Sequence, residues 1–492
     1  MAALPPDAVD LDAVGRHIDA HLDEHVAAVQ RWVRQPSVSW DTRDDAMRAM
    51  AELAADELRA LGCREVEVVE GRYHPGVWAW FDAGADVTLH TYAMLDTRPA
   101  PAAGWRFDPW GAALEPLDGF GRVLVGRGAL GAKGPFVAFL NALRSIIAVH
   151  GTLPVNLMVL AEGEEIMGSP SYAGFVERYR HRLQHARASY CPTSAQLPGR
   201  RVSVGLGLKG MVVVELAVSG ERWPGAPRRS VHSSAAGFVH GPPWRLAQAL
   251  ASLTGPDGTG CRVAALAEAW ERAPGPSRAE AALLASLADA RAGQDLRDVL
   301  PLGGPDNVAL DRATLDEAAL RRFLYGPTFN VAGLRSGFVG PGTGSEPFSV
   351  PARATATIDV RSVSDLPPEA IVAALREHLD AQGFDDVEVD VLAAFDHHRT
   401  DPAHPLVAAV TTTLERQGYR PEVWPIQAGG GPWTAVPRAF GVPCVRGGVP
   451  GGGRLGVDEY LVIEGDDRVA GLAETERHHA AALSAVAAAL SV

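Results

Sequence analysis

Apolar residues return every three or four positions over residues 11–34, at Val14, Ile18, Leu22, Val26, Val29 and Val33. This is the spacing of a helix with one buried face, and Pro36 ends it. The pattern next predicts a helix over 43–62 and strands over 65–70 and 76–82. The apolar run 86–95 reads as a buried strand. A glycine-rich turn at 126–134 leads into a helix over 135–149, and 154–161 reads as the next buried strand. Strands alternating with helices give an α/β fold, a mostly parallel sheet flanked by helices. Such sheets collect functional residues beyond the carboxyl ends of their strands.

The texture changes near Leu206. Strands are expected over 212–218, 353–360 and 385–392, with helices over 242–253 and 368–382. Between them, 255–325 is rich in Ala, Asp, Arg and Gly and reads as an insertion with local helices. Helices over 404–417 and 471–491 restore the first pattern. The order implies one domain built from 1–205 and 403–492, with a smaller α+β domain, 206–402, inserted into it. A chain of 492 residues fits two domains.

Composition narrows the function. A formal net charge of −14 argues against nucleic acid or an anionic membrane surface as partner. No run approaches 18 uninterrupted apolar residues, so no membrane span is expected. Cys63, Cys191, Cys261 and Cys444 are scattered without CxxC spacing. Such thiols fit a reduced, cytoplasmic protein. The N-terminal residues carry acids where a secretory signal needs basic groups.

Three segments carry the chemistry. The first is Leu89-His90-Thr91-Tyr92-Ala93-Met94-Leu95-Asp96. The second is Gly126-Arg127-Gly128-Ala129-Leu130-Gly131-Ala132-Lys133-Gly134. The third is Glu162-Gly163-Glu164-Glu165-Ile166-Met167-Gly168-Ser169. Each lies at a predicted strand end or in the loop after it. In this order and spacing they resemble the di-zinc exopeptidases of the carnosinase, aminoacylase and acetylornithine deacetylase family, most of all the carnosinase-like dipeptidases. Trp105, Asp108 and Pro109 match a signature of that branch. The resemblance runs from about residue 30 to 465. It implies the zinc exopeptidase fold, with 206–402 as a lid and dimerisation domain, and hence a homodimer.

In the family resembled, two zinc ions share a bridging aspartate and a water, and a glutamate is the general base. A gap-free overlay places non-ligands at the metal positions. Met94 falls on the first histidine, Gly131 on the bridging aspartate and Ile166 on the glutamate after the base. Thr193 falls on a later aspartate and Leu455 on the final histidine, with Glu459 still four residues on. These side chains cannot replace imidazole or carboxylate on zinc, and a thioether prefers copper. No cofactor is therefore expected, zinc included, unless displaced residues such as His90, His397 or His398 supply new ligands.

The resemblance implies roles for other positions. Glu165 matches the general base and Asp96 the acid that orients the first histidine. His232 matches a histidine lent by the partner subunit to an oxyanion. Arg361 matches the arginine that grips a substrate carboxylate, and Asn330 a lid position near substrate. Lys133, which closes the glycine-rich turn, is a candidate substrate-binding residue, as is Gly430 in a loop, 427–432, that keeps the family's glycines without their polar neighbours. Its backbone N–H groups suit an oxyanion or carboxylate. Plainer roles stand beside these: Asp96 capping backbone donors, Arg361 in a salt bridge, Lys133 as a structural cation, Glu165 as a remnant.

The expected function is a metal-independent enzyme using general acid/base chemistry on a small molecule that carries a carboxylate and resembles an amino acid or peptide. Cyclisation, condensation, elimination or amide chemistry in a specialised biosynthetic pathway fits it. The alternatives are a pseudo-peptidase that binds without turnover and a zinc dipeptidase or amidohydrolase with relocated ligands.

Overall fold

The computed structural model describes residues 4–491 apart from 41–44, 118, 198, 257, 259, 303–305, 311–312, 341, 343–345 and 454–455. The mean path of its large sheet runs Glu65–Val69, Gly76–Phe81, Asn156–Glu162, Thr88–Met94, Ala188–Cys191, Cys444–Arg446, Arg201–Gly205, Arg420–Trp424. The centre is parallel: Asn156–Glu162, Thr88–Met94, Ala188–Cys191 and Cys444–Arg446 pair in one direction. Antiparallel pairs close the Glu65–Val69 edge. Thr88–Met94 and Asn156–Glu162 are buried along nearly their whole length because helices cover both faces. Helices Lys133–His150 and Leu472–Leu490 pack against this sheet and share its main core with Leu22–Arg34.

A second sheet is antiparallel throughout, in the order Thr328–Ser336, Arg353–Ser362, Gly210–Ser219, Glu388–Phe395. Its strand Arg353–Ser362 alternates buried and half-exposed residues, the period of a one-faced sheet. Helices Pro242–Leu253 and Pro368–Ala381 close the buried face around a separate core. All four strands fall within 206–402.

Two expectations are corrected locally. The helix over 11–34 is two, Leu11–Ala20 and Leu22–Arg34. At His21 the backbone leaves helical geometry, the imidazole bonds the carbonyl of His17 at 2.9 Å, and the two rings stack. The stretch 255–325 is also more than a surface insertion. Its helix Arg278–Asp289 lies on the edge strand Arg420–Trp424, and Arg291 ion-pairs with the buried Glu422 there. Among the described residues no helix is long and apolar enough to cross a membrane.

Candidate functional site

Parallel strands Thr88–Met94 and Asn156–Glu162 end side by side, with Met94 opposite Glu162. The chain after Glu162 makes a single helical turn, Glu165–Met167. Asp96, just past the neighbouring strand, holds this turn in place. Its carboxylate accepts the backbone N–H of Glu165 at 3.1 Å and of Ile166 at 2.9 Å. Asp96 is fully buried and does not face the cleft, so it acts as a positioning group.

Beyond the strand ends lies an inner chamber of about 400 Å³, lined by Met94, Gly131, Glu165, Ile166 and Thr193 together with Arg446, Gln427 and Gly430. Four of the five residues that the family overlay sets at metal positions therefore meet in one cavity; Leu455 lies outside the described residues. Glu165, Ile166, Arg98 and Gly430 also line an outer chamber of about 910 Å³ that reaches Met211, Thr357 and Arg361 on the second sheet. A third chamber, about 1170 Å³, shares Arg361 with the outer one and Gln427 with the inner one, and holds Asn330 and Lys209. Gly430 is needed for the close approach of its loop to the second sheet: a Cβ there would lie 2.5 Å from that of Met211.

Burial raises the pKa of Glu165 from 4.5 to about 7, and the charge of Asp96 adds to this, while Arg98 and Arg446 oppose it. Among the described residues nothing hydrogen-bonds its carboxylate, which stays open to the cleft. Beneath it, Glu162 is fully buried. It accepts the hydroxyls of Tyr92 at 2.9 Å and Ser169 at 2.8 Å, and burial with the charge of Asp96 pushes its pKa well up. Glu164 turns the other way and accepts the backbone N–H groups of Tyr73, His74 and Ser171 at 2.7, 2.8 and 3.1 Å.

Other expected residues sit elsewhere. Lys133 does not reach the cleft and so is not placed to bind substrate. It is fully buried and donates to the carbonyls of Trp32 and Gln35 at 3.1 and 2.5 Å, because the start of its helix aims the side chain at the end of Leu22–Arg34. His232 is exposed on the short strand Val231–His232, bonds Ser234 at 2.9 Å and lines none of the three chambers. Arg361 faces the cleft from the second sheet while its Nε donates to Asp359 at 3.1 Å. Asn330 is exposed beside it. Glu459 is structural: it accepts the N–H groups of Leu130 and Gly131 and pairs with Arg127.

The reading from sequence missed Arg446, Arg98, Gln427 and Tyr92, which all line the inner chamber. Arg446 ends the three-residue strand Cys444–Arg446, where no motif flags it.

The donor set does not fit a di-zinc centre. A thioether, a glycine, an isoleucine and a threonine stand at the described metal positions. Among the described residues no group of three or more His, Cys, Asp or Glu side chains is placed to hold a metal. His90 is buried under the sheet against Ser189, at 2.8 Å, and neither it nor His397 nor His398 lines the three chambers.

Residues 91–474 match the profile of Peptidase family M20/M25/M40. The chain belongs to this family. It is 36% identical over 197 residues to human Beta-Ala-His dipeptidase, a stretch that spans 36% of this chain and only 37% of that protein. Against Schizosaccharomyces pombe Cys-Gly metallodipeptidase dug1 it is 25% identical over 387 residues, 75% of this chain and 76% of the other. The fold matches the M20 family metallo-carboxypeptidase Sso-CP2 of Sulfolobus solfataricus with a TM-score of 0.78, at 24% identity over 94% of this chain and 99% of that one. The M20 scaffold is thus present, with Met94, Gly131, Glu165, Ile166 and Thr193 lining one chamber of its cleft.

Proposed function

We propose that this M20 protein is an enzyme that works without a di-zinc centre, moving protons through Glu165 on a small amino-acid- or peptide-like molecule with a carboxylate. The observation that carries the reading is Glu165 itself. Its carboxylate opens into a cavity of about 400 Å³ with a pKa lifted to about 7, between a donor and an acceptor of protons at neutral pH. Arg361, across the outer chamber, is the group for the substrate's carboxylate, because a guanidinium matches that anion with paired N–H donors. Proton-transfer chemistry on a reactive substrate, such as cyclisation, condensation or elimination in a biosynthetic pathway, asks less of such a site than hydrolysis of an unactivated peptide bond. His232, exposed and outside the chambers of its own chain, is held for a homodimer formed through 206–402. The proposed setting is the cytoplasm, consistent with four cysteines that are all free thiols.

A second reading is favoured by the relatives' names: a metal-dependent dipeptidase whose ligands have moved. Metal analysis of the purified protein separates the two. The first reading expects well under one zinc per chain and full thermal stability after chelation; close to two zinc ions per chain with dipeptide hydrolysis would establish the second. With a turned-over substrate in hand, Glu165→Gln should lower kcat at least a hundredfold, and an unchanged kcat would remove Glu165 from the mechanism. A protein that binds carboxylates but turns over nothing in a broad panel would be a pseudo-peptidase.

A further inference from the structure

Arg446 enters the inner chamber among Met94, Gly131, Ile166 and Thr193, the residues at the changed metal positions. Its Nε donates to the backbone and hydroxyl oxygens of Thr193 at 3.2 and 3.1 Å. Nη2 donates to the same Thr193 carbonyl at 2.8 Å, and Nη1 to the side-chain oxygen of Gln427 at 3.1 Å. Every one of these acceptors is neutral. A guanidinium has five N–H donors and stays charged, so two N–H groups remain after these bonds. Among the described residues no carboxylate lies within ion-pair distance of it, and Glu165 is the sole carboxylate lining the chamber. A half-buried cation with no carboxylate in ion-pair contact is costly, and an anion beside it relieves that cost.

We propose that Arg446 binds the anionic oxygen of the substrate's reacting carbonyl or carboxyl group, taking over at the chamber floor the positive charge that a metal pair would bring, while Glu165 moves the proton. The inference rests on the reading of the cleft as an acid/base site, and it divides the labour between two arginines. Arg361 takes the carboxylate remote from the reaction, and Arg446 the oxygen at which charge develops. The competing role for Arg446 is structural, a pin between Thr193 and Gln427. Two further observations favour a site. The fork of the guanidinium is only partly used, and the cavity in front of it is large enough for a small molecule.

The test needs no turnover. Sodium acetate is titrated by NMR into the full chain carrying Arg361→Ala, which removes the lid arginine from the signal, and then into the same chain with Arg446→Met added. Saturable binding that weakens at least tenfold in the second protein is expected. Affinity unchanged by Arg446→Met, or no acetate binding by the first protein up to 100-millimolar order, would overturn the proposal. If Arg446→Met fails to fold, a crystal structure of the wild-type protein soaked with N-acetylglycine decides. A carboxylate or carbonyl oxygen on Arg446 supports the assignment, and ligand held by Arg361 with none on Arg446 refutes it. Failure here leaves Glu165 chemistry standing, whereas failure of the Glu165→Gln assay leaves this anion site standing.

Discussion

Glu165→Gln should make the protein more stable, by an amount that grows as pH rises from 4.5 and is full above 7. The carboxyl is raised from 4.5 to about 7, first by burial and then by Asp96. An acid whose folded pKa is raised holds its proton in the native state where the unfolded chain has released it, so native stability falls as pH climbs through that window. The penalty is absent below pH 4.5 and complete above 7. One pH unit is worth about 1.4 kcal/mol, so the full window costs about 3 kcal/mol. Glutamine keeps the shape and carries no charge, and it removes this cost. For a chain of this length, 3 kcal/mol corresponds to about 3 °C in Tm. Scanning calorimetry of wild type and variant at pH 5 and pH 8.5 provides the assay. The variant should melt about 3 °C higher at pH 8.5, with the gap largely closed at pH 5. Equal melting at pH 8.5, or an equal gap at both values, would show that the Glu165 carboxylate is not raised by its surroundings and would remove the argument for its role at neutral pH.

Asp96→Asn removes the second cause of the Glu165 shift while keeping one acceptor oxygen for the turn. The Glu165 titration, followed by carbon-13 NMR of labelled glutamate, should move down by about one pH unit, and no movement would separate the two groups. Glu164→Ala strips partners from three backbone N–H groups and should cost about 4 kcal/mol in urea unfolding, at 1–3 kcal/mol per orphaned group; a loss under 1 kcal/mol would mean that water replaces the carboxylate. Lys133→Met abandons two buried carbonyls and should cost about 2 kcal/mol of stability. It should leave acetate affinity unchanged, whereas a substrate-binding lysine would lose affinity as well.

The sequence was most legible where chain direction alone fixes position. The family overlay groups Met94, Gly131, Ile166 and Thr193 as one set, and each follows a strand or glycine turn. The structure brings all four to the inner chamber. Side-chain direction was the weak link. Lys133 starts a helix beside the site, yet its four-carbon stem runs under the glycine turn to the end of another helix, which no motif spacing reveals. Arg446 was invisible for the opposite reason: its strand is three residues long, and it gains meaning only because that strand inserts between Ala188–Cys191 and Arg201–Gly205. The break at His21 falls where the imidazoles of His17 and His21 stack, with no proline or glycine at the junction to announce it.

The electrostatics of the cleft follow from the changed residues taken together. Asp96, Glu162 and Glu165 are crowded at two strand ends; burial pushes all three pKa values up, and the charge of Asp96 adds to the rise at Glu162 and Glu165. Two divalent ions at this spot would hold such carboxylates in their charged forms, because adjacent positive charge favours the anion. The opposing charges on Glu165 are Arg98 and Arg446. Arg98 is exposed to solvent, so its field is screened. The balance leaves Glu165 near neutrality, where a proton can leave or arrive at little cost. On the family overlay, Met94→His supplies one ligand and leaves Gly131 and Ile166 without carboxylates. Met94→His should yield no stoichiometric zinc by metal analysis, and a variant that binds two zinc ions would show that the cleft had kept its ligands in another form.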